Sequence, residues 1–170
     1  MLAGLISVLM TQRGLASLIL SASIATIIGA WTYEHLGYLP CELCYKERVP
    51  YYAAFLLAPV AAMAAQNGRL ALARGAFWLM ALLFAGDVAL SIYHSGVEWK
   101  IFAGPSDCSG PLTTAATVDD FMQQLRNVKV VRCDEPNLWV MGLTLANWNV
   151  VVCAALAGVA ALAGLRSTRR

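Results

Sequence analysis

The sequence predicts an all-α membrane protein: a four-transmembrane-helix bundle with a short amphipathic helix in its second outer loop. Three observations carry that expectation. The 170 residues are 59% hydrophobic and only 13% charged, against roughly 25% charged in an average soluble domain. The apolar residues gather into Leu15–Trp31, Tyr51–Ala65, Leu70–Tyr93 and Trp139–Leu165, on the scale of the ~20 residues that cross a bilayer as a helix. The short segment joining the second and third stretches carries arginine and no acid, as cytoplasmic connections do. Hydrocarbon offers backbone groups no water, so helices are the expected form. A soluble helical core of this composition would have too few polar faces to cover it.

The whole chain, 1–170, is expected to be one domain, with spans at about 14–33, 46–65, 70–93 and 140–165. Arg13 before the first span resembles the start of a signal peptide. The apolar run nevertheless exceeds the usual 7–15 residues of such peptides, so it is expected to be retained. The second span is short unless it begins near Cys44, which draws Lys46, Glu47 and Arg48 into the interfacial zone. The third carries Asp87, costly in lipid, which either has a functional role or packs against Asn147 or Asn149 of the fourth; its outer end is His94. Cys153, among Val151, Val152 and Ala154 of the fourth span, reads as a small buried apolar residue. Trp31, Trp99 and Trp139 mark outer span edges as an aromatic belt.

The outer loops are expected at about 34–45 and 94–139. In the longer one, Gly104, Pro105, Gly110 and Pro111 bracket Cys108 in a turn-rich setting. Thr117-Val-Asp-Asp120 then resembles a capping box. Val118, Phe121, Met122 and Leu125 follow on one helical face, so a short amphipathic helix lies either on the outer leaflet or against the bundle's own loops.

Orientation follows from charge. Arg13, Arg69, Arg74, Arg166, Arg169 and Arg170 lie on one side without an acid; Lys46, Arg48, Lys100, Arg126, Lys129 and Arg132 lie on the other among nine acidic residues. The basic counts are equal, and the positive-inside signal comes from the short connection and the tails. Both termini are then cytoplasmic and both cysteine loops face outward.

Cys41-Glu42-Leu43-Cys44 is a C-x-x-C, and Cys108 and Cys133 form a second outward pair. Such a motif suits redox chemistry, an inert disulfide or half a zinc site. The outward compartment favours disulfides, and the other half of a zinc site is missing: His35 is six residues upstream, and the second pair lacks knuckle spacing. Redox is the preferred expectation, with no metal. In a helix Arg48 shares a face with Cys44, and a helix beginning near Cys44 adds a positive dipole end; both favour the reactive thiolate. Arg48 alternatively anchors the interface by reaching toward headgroups. Glu47 either pairs with an adjacent Lys or is solvated. His94 either serves as an interfacial polar cap or hydrogen-bonds a quinone oxygen or takes up its proton. A Cys108–Cys133 disulfide closing 24 residues would contribute about 3 kcal/mol through loop entropy; it either has that role alone or is exposed to attack by another protein's thiolate.

Together, Pro40-Cys-Glu-Leu-Cys-Tyr-Lys-Glu-Arg-Val-Pro50, Gly-Pro-Ser-Asp-Cys108-Ser-Gly, Arg132-Cys133-Asp and Gly142-Leu-Thr-Leu-Ala-Asn-Trp-Asn149 resemble the disulfide bond formation protein B (DsbB) family of bacterial inner-membrane thiol oxidases. The resemblance covers nearly the whole chain. It implies that the Cys108–Cys133 disulfide accepts electrons from a periplasmic, DsbA-like thioredoxin-fold oxidase, Cys108 taking the mixed disulfide. Cys133 then bridges to Cys41 and releases Cys44, which passes electrons to ubiquinone or menaquinone from the membrane quinone pool. Arg48 stabilises the thiolate and the quinone's developing charge, with Cys44, His94 and Glu47 completing the expected quinone site. His94 matches the family's histidine by approximate position, and the polar Ser-Gly-Pro flank of Cys108 departs from the pattern. The lipid bilayer is the remaining partner; nucleic acid is not expected. Two other functions compete: a scaffold whose disulfides merely hold its loops, and a thiol oxidase of the vitamin K epoxide reductase type, whose arrangement of cysteine pairs and spans is not found here.

Overall fold

A computed structural model describes residues 11–105, 117–119, 122, 131–136 and 138–166. Among the described residues, four long helical segments are apolar enough to cross a membrane: Gln12–His35, Glu42–Gln66, Leu70–Glu98 and Leu145–Arg166. They comprise α1 (Gln12–His35), α2 (Glu42–Glu47) continued by α3 (Val49–Gln66), α4 (Leu70–Glu98) and α5 (Leu145–Arg166). The protein is therefore an all-α, multi-pass membrane bundle. Among the described residues between α4 and α5 lies a small hairpin, β1 (Trp139–Val140) and β2 (Leu143–Thr144), paired antiparallel.

Each boundary has a local cause. Thr11 caps α1, its hydroxyl accepting the Gly14 N–H at 3.1 Å. The helix ends at His35 with Leu36 as its C-cap, and Gly37 just beyond adopts φ +94°; the Gly37 N–H bonds Glu34 O and the Tyr38 N–H bonds Tyr33 O. This Schellman pair turns the chain toward Pro40 and Cys41. Pro50 sits in the first turn of α3, where its missing N–H costs nothing. Met141 and Gly142 both have positive φ, matching a two-residue I′ hairpin turn.

That hairpin alters one expected span. Residues 139–144 form the hairpin, so α5 begins at Leu145 and not near 140. Trp148 Nε1 donates to Val140 O at 3.0 Å, pinning the hairpin to the helix. Thr144 is fully buried, donates its hydroxyl to Glu98 and accepts the Asn147 N–H at 3.2 Å. Thr144→Ala removes both bonds, so it is expected to cost about 1 kcal/mol or more and to lower the Tm of the detergent-solubilised protein; an unchanged Tm refutes the capping role.

Packing uses small residues, which let apolar helices approach where lipid gives no hydrophobic drive between them. Ala54, Ala58 and Ala61 line the buried stripe of α3; Ala146, Cys153, Leu156, Ala160 and Ala163 line that of α5. The α4 stripe runs Ala73, Phe77, Met80, Phe84, Asp87, Ser91, His94. The opposite faces are apolar too: Leu56 and Leu82 stay 74% and 68% exposed, as lipid-facing residues do. The most extensive helix pair is α4 with α5.

The α4–α5 seam holds a polar knot. Asn149 Nδ2 donates to Asp87 Oδ2 at 3.0 Å and to Ser91 Oγ at 2.8 Å, while Tyr51 donates to Asn149 Oδ1 at 2.6 Å. Asp87 therefore packs against Asn149, one of its two expected partners. Cys153 is buried as expected but is not merely apolar: its thiol donates to Asp87 Oδ2 at 3.1 Å. The expected amphipathic helix falls largely outside the described residues; Val118, Asp119 and Met122 are helical.

Candidate active site

The end of the bundle carrying the α1–α2 connection gathers the reactive groups. Cys41 is the N-cap of α2, with extended backbone (φ −78°, ψ 175°), and its Sγ accepts the Cys44 N–H at 3.4 Å. The helix thus starts at Glu42, and its positive end meets Cys41 more directly than Cys44. The two Sγ atoms lie 3.2 Å apart as thiols. Cys41 is buried and Cys44 half-buried.

His94 comes from α4. Because that helix continues to Glu98, His94 sits one turn inside it and not at its end. Its Nε2 lies 3.5 Å from Cys41 Sγ and its Nδ1 lies 2.8 Å from Glu47 Oε1, all three residues being buried. A carboxylate only accepts, so Nδ1 carries a hydrogen toward Glu47 and Nε2 is directed at the sulfur. Cys41, His94 and Glu47 make a thiol–imidazole–carboxylate relay. The hydrogen bond that Cys41 donates to Cys44 and then burial push the Cys41 thiol up to about 12, and the His94 hydrogen bond opposes them. A thiol held that high needs an adjacent base to react at neutral pH, and His94 is in place.

The expectation that Glu47 pairs with a neighbouring Lys or is solvated is corrected. Lys46 pairs with Glu42 at 2.7 Å one turn earlier, while Glu47 turns inward to His94. The sequence also hid the partner of Arg48. Its Nη1 donates to Glu34 Oε2 of α1 at 2.9 Å, and its Cζ lies 5.0 Å from the centroid of the Tyr45 ring. Tyr45 donates its hydroxyl to the other oxygen of Glu34 at 3.1 Å. The only sequence signal for Glu34 was an acid at the outer end of an apolar run.

A cavity of about 240 Å³ joins these groups. Cys41, Cys44, Glu47, Arg48, His94 and Cys133 line it, with Ile27, Ala30, Leu145 and Val152 as apolar walls reaching into the bundle. Cys133 is also buried and packs in one cluster with Cys41, Leu43 and Val97, so the second cysteine loop delivers a sulfur beside the first. Next to it, Arg132 holds Asp134 through two hydrogen bonds of 2.9 and 2.7 Å, which keeps that carboxyl below the usual range. Cys108 lies outside the described residues. The sulfurs of Cys41 and Cys44 and a ring nitrogen of His94 fall within 4.8 Å of one another, so a metal ion also has three donors here.

The model of the family described as "Disulfide bond formation protein DsbB" matches residues 12–163, most of the chain. The chain belongs to the DsbB family. Membership makes this protein a membrane oxidoreductase of disulfide-bond formation. No curated protein and no solved structure matches it significantly. Of the site residues expected from sequence, Cys41, Cys44, Glu47, Arg48, His94 and Cys133 come together around one cavity, and Cys108 is the one left undescribed.

Proposed function

We propose that this protein is a quinone-dependent protein-disulfide oxidase of the bacterial inner membrane, with both termini cytoplasmic and both cysteine loops in the periplasm. It reoxidises a DsbA-like thioredoxin-fold oxidase and passes the electrons to the membrane quinone pool. The convergence of Cys41, Cys44, Cys133, His94 and Arg48 on one cavity carries this reading. It joins a thiol route from the outer loop to an apolar route toward lipid.

The residues suit a quinone headgroup. The cavity is slightly below the roughly 300 Å³ typical of small-ligand sites, enough for a ring whose isoprenoid tail lies in the bilayer. Its walls are apolar, and Arg48 and His94 supply the polar lining that orients such a ring. Ubiquinone and menaquinone both satisfy these demands. When bound, the quinone would supply a two-electron, two-proton acceptor.

The thiol steps balance as exchanges. A partner thiolate attacks Cys108 and releases Cys133 as thiolate. Cys133 attacks Cys41 of the Cys41–Cys44 disulfide and releases Cys44. The partner's second thiol displaces Cys108, leaving the partner oxidised, and Cys108 then displaces Cys41 from Cys133. Cys41 and Cys44 re-form their disulfide as two electrons and two protons leave for the acceptor. His94 takes the Cys41 proton in that closure, and Glu47 holds the imidazole in position.

The direct test is purified protein with quinone and a reduced DsbA-like partner. Catalytic partner oxidation that requires quinone is the expected result; its absence, with reduction merely destabilising the protein, would instead favour a scaffold. Arg48→Ala is expected to raise the apparent KM for quinone about tenfold or more, the worth of one charge-assisted hydrogen bond. A change confined to the KM for the partner refutes that role.

A further inference from the structure

The sequence argued against a metal site because it showed no second half for the C-x-x-C. The fold supplies one from α4. We propose that the reduced Cys41–Cys44 loop is also a redox-gated binding site for a thiophilic divalent cation of the zinc class, held by Cys41 Sγ, Cys44 Sγ and His94 Nε2. Occupancy halts the thiol cycle. This inference rests on the assignment of Cys41 and Cys44 as a cycling dithiol, and it needs no quinone.

Three observations converge. The three donor atoms lie within 4.8 Å of one another, with Sγ–Sγ at 3.2 Å and Sγ–Nε2 at 3.5 Å. Zinc–sulfur bonds of about 2.3 Å and zinc–nitrogen bonds of about 2.0–2.1 Å in a tetrahedron require donor separations of about 3.5–3.8 Å. The sulfurs part by about half an ångström on binding, and Cys44 Sγ, within 4.8 Å of the His94 nitrogen, settles to the same range by moving at the cavity wall, where Cys44 is half-buried. The second observation is the Glu47 carboxylate, 2.8 Å from His94 Nδ1. A metal-bound histidine almost always gives its other N–H to such a partner, which fixes the tautomer and strengthens the ligand. Third, the site faces a cavity of about 240 Å³, leaving the fourth position open to water, as in three-ligand zinc sites.

Gating follows from the ligands. The oxidised pair spends both sulfurs on each other and offers a single imidazole, so the cation binds the dithiol alone, displacing two thiol protons. The bound cation then occupies the sulfur that Cys133 attacks and the sulfur that releases electrons. The protein is held reduced until a chelator removes the ion.

The test uses full-length protein in detergent, free of quinone and reductant, titrated with Zn²⁺ against a chromogenic chelator and with Co²⁺ as a spectroscopic substitute. The expected result is one equivalent per reduced chain, none per oxidised chain, and the visible and thiolate-to-metal bands of a tetrahedral Co²⁺ site. Glu47→Gln, which leaves every ligand in place, is expected to weaken binding about 10–100-fold. His94→Ala and His94→Gln are expected to weaken it further while the helical circular dichroism spectrum stays unchanged. No binding to the reduced wild type overturns the proposal. So does equal affinity in wild type, Glu47→Gln and the His94 variants, the mark of any adjacent dithiol, or loss of binding in Cys133→Ser alone, the mark of a different sulfur pair. Because no arm involves quinone or partner, a failed oxidase assay and a failed metal titration remain separate results.

Discussion

Cys44→Ala is expected to reduce quinone-dependent oxidation of the thioredoxin-fold partner by at least about 1000-fold, the scale lost when a reacting nucleophile is removed. Cys41, Cys44 and Cys133 share the cavity, but the proposed order of exchange requires Cys44 to be the sulfur freed toward the acceptor. The variant should still accept one pair of electrons from the partner into the outer cysteine pair. Stopped-flow mixing with reduced partner is therefore expected to show a single, quinone-independent turnover and then arrest. Multiple turnovers in Cys44→Ala would sink the mechanism. Loss of the first turnover as well would place Cys44 on the partner side of the relay.

The second large effect is expected at His94. Its Nε2 is 3.5 Å from Cys41 Sγ, and a positioned base is worth about 10²–10⁴-fold. His94→Ala should slow re-formation of the Cys41–Cys44 disulfide within that range while leaving partner binding unchanged. Glu47→Gln keeps the side-chain shape but removes the carboxylate that holds Nδ1 at 2.8 Å, so a smaller fall in kcat with unchanged KM is expected. Rapid-quench thiol trapping of the reduced protein mixed with quinone measures this step directly. A His94→Ala protein that closes the disulfide at the wild-type rate refutes the proton role, and an effect on quinone KM alone returns His94 to the ring-binding role suggested by the sequence.

Much of the architecture was legible because it depends on composition over long windows. Lipid leaves a 20-residue apolar run only one way to satisfy its backbone, so four runs became four helices. The boundaries were harder to read. Met141 and Gly142 adopt positive φ inside a stretch that is apolar enough to pass for helix, and a hydropathy window does not register a two-residue turn. Likewise, α4 runs past His94 because nothing in Ser95-Gly-Val-Glu98 terminates it, Gly96 notwithstanding.

The candidate site divides along the same line. C-x-x-C places two sulfurs a turn apart by local geometry alone, so Cys41 and Cys44 were recognisable as a dithiol from four letters. Glu34, Glu47 and His94 were not assignable in this way, because their partners lie 14 to 53 residues distant and only helix packing brings them together. Periodicity would put Arg48 beside Cys44, yet tertiary contact gives its guanidinium to Glu34. Cys153 looked inert among valines until the α4–α5 seam set Asp87 opposite its thiol.

The sequence by itself determined a four-span membrane chain, its expected orientation and the presence of a vicinal dithiol. These follow from transfer free energy, charge asymmetry and local spacing, none of which needs a distant partner. The tertiary structure alone decided which groups touch those sulfurs. It set an imidazole on Cys41, a carboxylate behind that imidazole, and a third sulfur in the same cluster. Short-range, directional interactions depend on the crossing of helices far apart in the chain, and no local pattern encodes that crossing.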